Sequence, residues 1–85
     1  MGQNNLGASY ENGQGVLQSY EEAARLYKLA ADQDDASGQN NLGVLYEEGH
    51  GVRKNITRAA EWYRKAARQG LEEAQTALRR LGQTW

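Results

Sequence analysis

The sequence contains no cysteine, which removes disulfide frameworks, thiolate zinc sites and cysteine nucleophiles together. A periplasmic protein can also lack cysteine, so this absence leaves the compartment open. No apolar stretch approaches the roughly 18 residues that a helical membrane span needs. The segment Met1-Gly2-Gln3-Asn4-Asn5 has neither a basic region nor an apolar core, so no signal peptide is expected in this chain. Cytoplasm and periplasm both stay open. An excess of either charge is missing as well. Ten Lys and Arg stand against eleven Asp and Glu, a net charge of −1, whereas a general nucleic-acid binder normally shows a basic surplus. Histidine occurs once, at His50.

What is present is an ordinary globular composition, 39% hydrophobic and 25% charged, in 85 residues. That length makes one small domain, whose core is marginal unless its packing is regular. Regularity is the main feature of the chain. GQNNLGASYENGQGV begins at Gly2 and GQNNLGVLYEEGHGV begins at Gly38. Residues 2–37 and 38–73 align without a gap at a period of 36, with 17 identities, and a third copy starts at Ala74. A period of this length is the mark of a helical solenoid.

The repeated positions have a physical logic. Leu6 and Tyr10, and again Leu42 and Tyr46, lie four apart on one helix face. Gly7 and Gly43 sit inside those helices, where glycine costs about 1 kcal/mol against alanine, so two helices are expected to approach closely there. Gly13 and Gly49 stand where a left-handed cap ends a helix. Ser19, with Glu22 three residues on, opens the next helix, and Asn55 is its counterpart. The second helices carry a stripe of small residues around an aromatic anchor: Ala23, Ala24, Tyr27, Ala30, Ala31 and Ala59, Ala60, Tyr63, Ala66, Ala67. Gly70 ends the later one, and Asp34 must take the same left-handed role. The spacing predicts helices near 3–12, 19–33, 36–48, 55–69 and 72–83. Leu6, Tyr10, Leu42, Tyr46, Trp62 and Tyr63 are the expected core. Leu78, Leu81 and Trp85 are spaced i, i+3, i+7, so the last helix is expected to lie over the end of the stack.

The pattern small-Gln-x-x-Leu-Gly-x-x-Tyr-x-x-Gly-x-Gly-Val, followed by Ala-Ala-x-(Trp/Leu)-Tyr-x-x-Ala-Ala-x-Gln, resembles the Sel1-like repeat, a relative of tetratricopeptide repeats. The resemblance covers essentially the whole chain. It departs at Leu26, where the family often has Trp, at Asp34 in place of glycine, and at Ser19 and Asn55 in place of Asp. It implies an all-α fold: an α-solenoid of two helix-turn-helix repeats (2–37 and 38–73) and a C-terminal capping helix within a partial third repeat (74–85), in one domain.

Chemistry is hard to find in this sequence. His50 lies in a glycine turn where the other copy has Gln14, and is expected to face solvent. Glu21-Glu22, Asp34-Asp35, Glu47-Glu48 and Glu72-Glu73 are adjacent pairs, and adjacent helical side chains point about 100° apart instead of converging as a catalytic dyad does. Helix-start carboxylates such as Glu21, Glu22, Glu72 and Glu73 complement the helix dipole. Gly13-Gln14-Gly15 follows a helix and lacks a lysine, unlike a phosphate loop. No catalytic residue, metal or cofactor is expected.

Related tetratricopeptide arrays bind extended peptides on a concave face lined by their first helices. Carried across by position, that face comprises Asn4, Ala8, Glu11 and Asn12, then Asn40, Val44, Glu47 and Glu48, continued by Thr76 and Arg80. Primary amides at Asn4 and Asn40 offer donor and acceptor together to a peptide backbone. The implied function is a non-enzymatic adaptor binding a protein or extended peptide, with no nucleic acid and no membrane span. A structural fragment or minimal solenoid without its own ligand is the alternative, and a hydrolase the remote one. Residues 2–37 carry net −4, residues 38–73 net +1, and Arg79 and Arg80 follow. With apolar surface at both ends, this polarity makes a homo-dimer through the solenoid ends an expectation.

Overall fold

A computed structural model describes residues 19–85. The helix expected near 3–12, with Leu6, Tyr10 and Gly13, lies outside the described residues. Among the described residues are four α-helices and no strand: α1 (Tyr20–Asp32), α2 (Ala36–Glu48), α3 (Ile56–Arg68) and α4 (Glu72–Arg80). α1 packs on α2, α2 on α3, and α3 on α4.

The helix starts are built as the side chains dictate. Ser19 accepts the Glu22 N–H at 3.1 Å, and Asn55 accepts the Arg58 N–H at 3.0 Å. The Glu22 carboxylate turns instead to Arg25. Helix ends repeat one device. Asp35 donates its N–H to Ala30 O (3.1 Å) and Asp34 to Ala31 O (3.0 Å), while Leu71 and Gly70 do the same to Ala66 O and Ala67 O. This double bond to the last turn needs a left-handed residue in the middle. Gly70 supplies it at φ 93° and Asp34 at φ 64°, so the aspartate fills the glycine's place as expected. Asp34→Gly should therefore stabilise the fold. Relief of a left-handed non-glycine residue is worth roughly 1 kcal/mol, and the added freedom of the unfolded chain takes back about 0.4–1 kcal/mol. An unfolding free energy, read from urea titration, raised by up to a few tenths of a kcal/mol is the expected result; a lowered one would show Asp34 to be unstrained.

Small residues let the helices close up. Alanine dominates both buried clusters. One holds Ala23, Ala24, Tyr27, Ala31, Leu42 and Leu45; the other holds Ala59, Ala60, Tyr63, Ala66, Ala67, Ala74, Ala77 and Leu78. Gly43 is the point of closest approach, since a Cβ there would lie 2.9 Å from the Tyr63 ring.

The repeated glutamine was read from the sequence only as part of the pattern, and the structure gives it a role. Gln39 is fully buried. Its Nε2 donates to Ala31 O at 3.3 Å, across the boundary between units, and its Oε1 accepts from Gln69 Nε2 at 3.0 Å. One period later Gln75 donates to Ala67 O at 3.1 Å.

Two expectations need correction, and a third needs an addition. Leu42 and Tyr63 are buried, but Tyr46 and Trp62 are only partly so. Tyr46 sits between the two clusters with the Arg58 guanidinium 6.0 Å from its ring. Trp62 is too large to be enclosed where the first unit buries Leu26. The His50 side chain keeps much of its exposure to solvent, as expected, but is not free of the fold: it stacks on Tyr20 with ring centroids 4.4 Å apart. The cause is its neighbour Gly51, which rests against the backbone of Tyr20. The last helix stops at Arg80 because Gly82 turns left-handed (φ 72°). Leu78 is buried and Leu81 packs on the cluster, while Trp85 leaves the helical register and is 41% exposed.

Candidate protein interface

The first helices of successive units are α2 and α4, and they are tied together at their surface. Arg80 of α4 donates to both carboxylate oxygens of Glu47 of α2, at 2.5 and 2.8 Å, and Tyr63 Oη donates to the same carboxylate at 2.8 Å. The Arg80 guanidinium holds the Glu47 carboxyl below the usual carboxylate range against the opposing effect of burial, with Tyr63 assisting. Burial and then the Glu47 hydrogen bond push the Tyr63 hydroxyl well above its ordinary value.

This arrangement changes what the expected binding residues do. Glu47 and Arg80 bind each other. Val44 is half-buried against the α3–α4 cluster. Asn40 is half-buried, with its Oδ1 enclosed and unpartnered among the described residues. Glu48 is exposed, 3.3 Å from His50 Nδ1, and Thr76 is exposed on α4. Asn4, Ala8, Glu11 and Asn12 lie outside the described residues.

The Glu47 group gives stability a pH dependence of known sign. Its folded pKa lies below its unfolded one of about 4.3, so its contribution is present above that value. It is lost as pH falls through the folded pKa. Glu47→Gln should lower the urea midpoint at pH 7 by an amount worth about 1 kcal/mol or less. The difference between the two proteins should shrink toward pH 3; a constant difference would mean that the carboxylate charge is not what matters.

A second feature lies on α3, around Trp62, which the sequence reading assigned to the core. Arg58, Glu61, Trp62, Arg64, Lys65 and Arg68 line a groove of about 460 Å³. Lys65 Nζ is 5.5 Å and Lys28 Nζ 6.0 Å from the Trp62 ring centroid. Lys28 also pairs with Asp32 at 3.0 Å. Arg64 donates to Thr84 O (3.1 Å) and to Gln83, and Arg68 donates to Trp85 O at 3.4 Å. The signal was available in the sequence. These positions differ between the copies, with Glu22, Leu26 and Asp32 of the first unit replaced by Arg58, Trp62 and Arg68.

Among the described residues no His, Cys, Asp and Glu cluster has the makings of a metal site, and no helix is long and apolar enough to cross a membrane.

Comparison with known proteins agrees with this architecture. The Sel1 repeat model matches residues 1–35 and 36–71. A Sel1 repeat protein from Oxalobacter formigenes shares 44% identity at a TM-score of 0.87, over 88% of this chain and 31% of that one. The c5321 protein, a protective antigen present in uropathogenic Escherichia coli strains displaying an SLR fold, shares 41% at 0.88, over 89% of this chain and 16% of that one. Helicobacter pylori cysteine rich protein B shares 38% at 0.85, over 91% of this chain and 58% of that one. The chain thus spans less than two thirds of each of these relatives. A search of curated protein sequences found no match. With two matched repeats over most of its length, and a buried glutamine bond that recurs one period apart, this chain belongs to the Sel1 repeat family.

Proposed function

We propose that the chain is a non-enzymatic protein-binding module whose partner docks on the face shared by α2 and α4. Protein interaction is the common role of the family. The observation that carries the reading is the Glu47–Arg80–Tyr63 cluster, which fastens the first helices of two successive units into one surface. Exposed Glu48 and Thr76 flank it. A rigid face lowers the ordering cost of binding. Because Glu47 and Arg80 already satisfy each other, they act as the floor of the face, and Glu48 and Thr76 make the contacts.

The test uses the immobilised chain and a Glu48→Lys/Thr76→Lys variant, which changes only exposed side chains and should keep its helical melting curve. Selective loss of a captured protein by the variant is the expected outcome. Identical capture by both would overturn the assignment of this face.

A further inference from the structure

We propose that the outer face of α3 is a second docking groove, built for an acidic peptide segment that carries an apolar side chain. The inference rests on the protein-binding reading but not on the α2–α4 face.

Charge is the first argument. In a chain of net charge −1, the six residues lining the groove include four cations and one carboxylate. Ordinary helix chemistry explains only some of them. Lys65 and Arg68 stand in the last turn of α3, where cations complement the helix dipole. Arg58 stands in the first turn, where a cation is unfavourable. Arg64 and Arg68 at i, i+4, and Lys65 and Arg68 at i, i+3, are like-charge spacings that weaken a helix. The tail contacts of Arg64 use the Thr84 carbonyl and the Gln83 amide oxygen, so they leave its charge uncompensated; Arg68 reaches Trp85 O at 3.4 Å, and with Glu61 as the one carboxylate among the lining residues the face keeps a positive excess.

Trp62 is the second argument. It is a large aromatic only partly covered by the core, and it lines the groove between two lysines. An aromatic surface ringed by cations suits an apolar side chain flanked by carboxylates. Each carboxylate would find a charged donor, and the apolar group would cover the indole. A nucleic acid fits less well. The adjoining depression is bounded by Asp34, and the first unit beyond it is strongly acidic, so a long polyanion would be repelled where a short peptide would not.

The probe is a short fluorescein-labelled peptide of Asp, Glu and Leu, titrated by anisotropy at low and physiological salt. Controls are the same peptide with Asn and Gln for the acids, one with Gly for Leu, and an oligothymidylate. The wild type should bind the acidic, Leu-containing peptide in preference to all three, with affinity falling as salt rises. Arg58→Glu/Lys65→Glu, both exposed, should weaken binding about tenfold or more. Glu61→Lys should tighten it. Trp62→Leu, which installs the residue of the first unit, should lose the preference for Leu over Gly while keeping the salt dependence. Equal binding by wild type and Arg58→Glu/Lys65→Glu, or preference for the oligothymidylate, would overturn the proposal. So would loss of peptide binding in Glu48→Lys/Thr76→Lys, which would move the peptide to the α2–α4 face and leave the protein-binding reading standing.

Discussion

Replacing Gly51 with alanine should cost the fold about 3 kcal/mol or more. The backbone there is left-handed, φ 76°, which costs an alanine roughly 1–2 kcal/mol. The added Cβ would also stand 2.2 Å from the Tyr20 carbonyl oxygen and 2.7 Å from the Glu21 nitrogen. Those are backbone atoms at the start of α1, held by the Ser19 cap, and they cannot swing aside as a side chain would. Overpacking of this kind adds roughly 1–3 kcal/mol. Gly49→Ala is the natural comparison. Its φ is 73°, but the nearest neighbour of a new Cβ is Lys54 Cβ at 3.0 Å, so the backbone cost of about 1–2 kcal/mol comes with a milder crowding than at Gly51. Urea unfolding of the two variants measures the contact between the turn and α1. Equal losses would show that the turn does not rest on α1. A small domain has about 5–15 kcal/mol in all, usually near the low end, so the larger loss would be visible as partial unfolding at 37 °C.

Gln39→Ala should cost about 2–3 kcal/mol. Two hydrogen bonds disappear, each worth about 1 kcal/mol net, and a space opens among atoms that exclude water. Gln75→Ala should cost about 1 kcal/mol, since Gln75 is only partly buried and makes one such bond. The bond between the Gln39 and Gln69 amides can be isolated in a double-mutant cycle with Gln39→Leu and Gln69→Ala. A coupling of about 0.5 kcal/mol or more is expected. Strict additivity would mean that the two amides are neighbours without being partners.

Much of this architecture was legible in the sequence because it depends on local rules. Ser19 and Asn55 before alanine stripes announce helix starts, and Gly49, Gly70 and even Asp34 announce ends, since each end needs a left-handed residue. Gly43 announced a close approach, which proved to be to Tyr63. What was missed depends on contacts far apart in the chain. Nothing local says that Glu47 and Arg80, 33 residues apart, will meet, so both were read as open to a partner. Equivalence between repeats misled at Trp62, because the same helical position accepts a buried leucine in one unit and cannot enclose an indole in the next. The end of α4 does follow a local signal. Gly82 ends that helix as Gly70 ends α3, and the i, i+7 pairing of Leu78 with Trp85 ran through it.

Tyr46 packs against both clusters of buried residues, and this has a consequence for how the molecule comes apart. Repeat arrays are expected to fray from the ends, each unit opening with only its nearest neighbour affected. A ring shared by two clusters works against that independence. α1 cannot peel away without uncovering one side of Tyr46, and α3 cannot leave without uncovering the other. Either departure loosens what remains. The most protected amides of α1 and α3 should then exchange with solvent in a single opening event rather than in two.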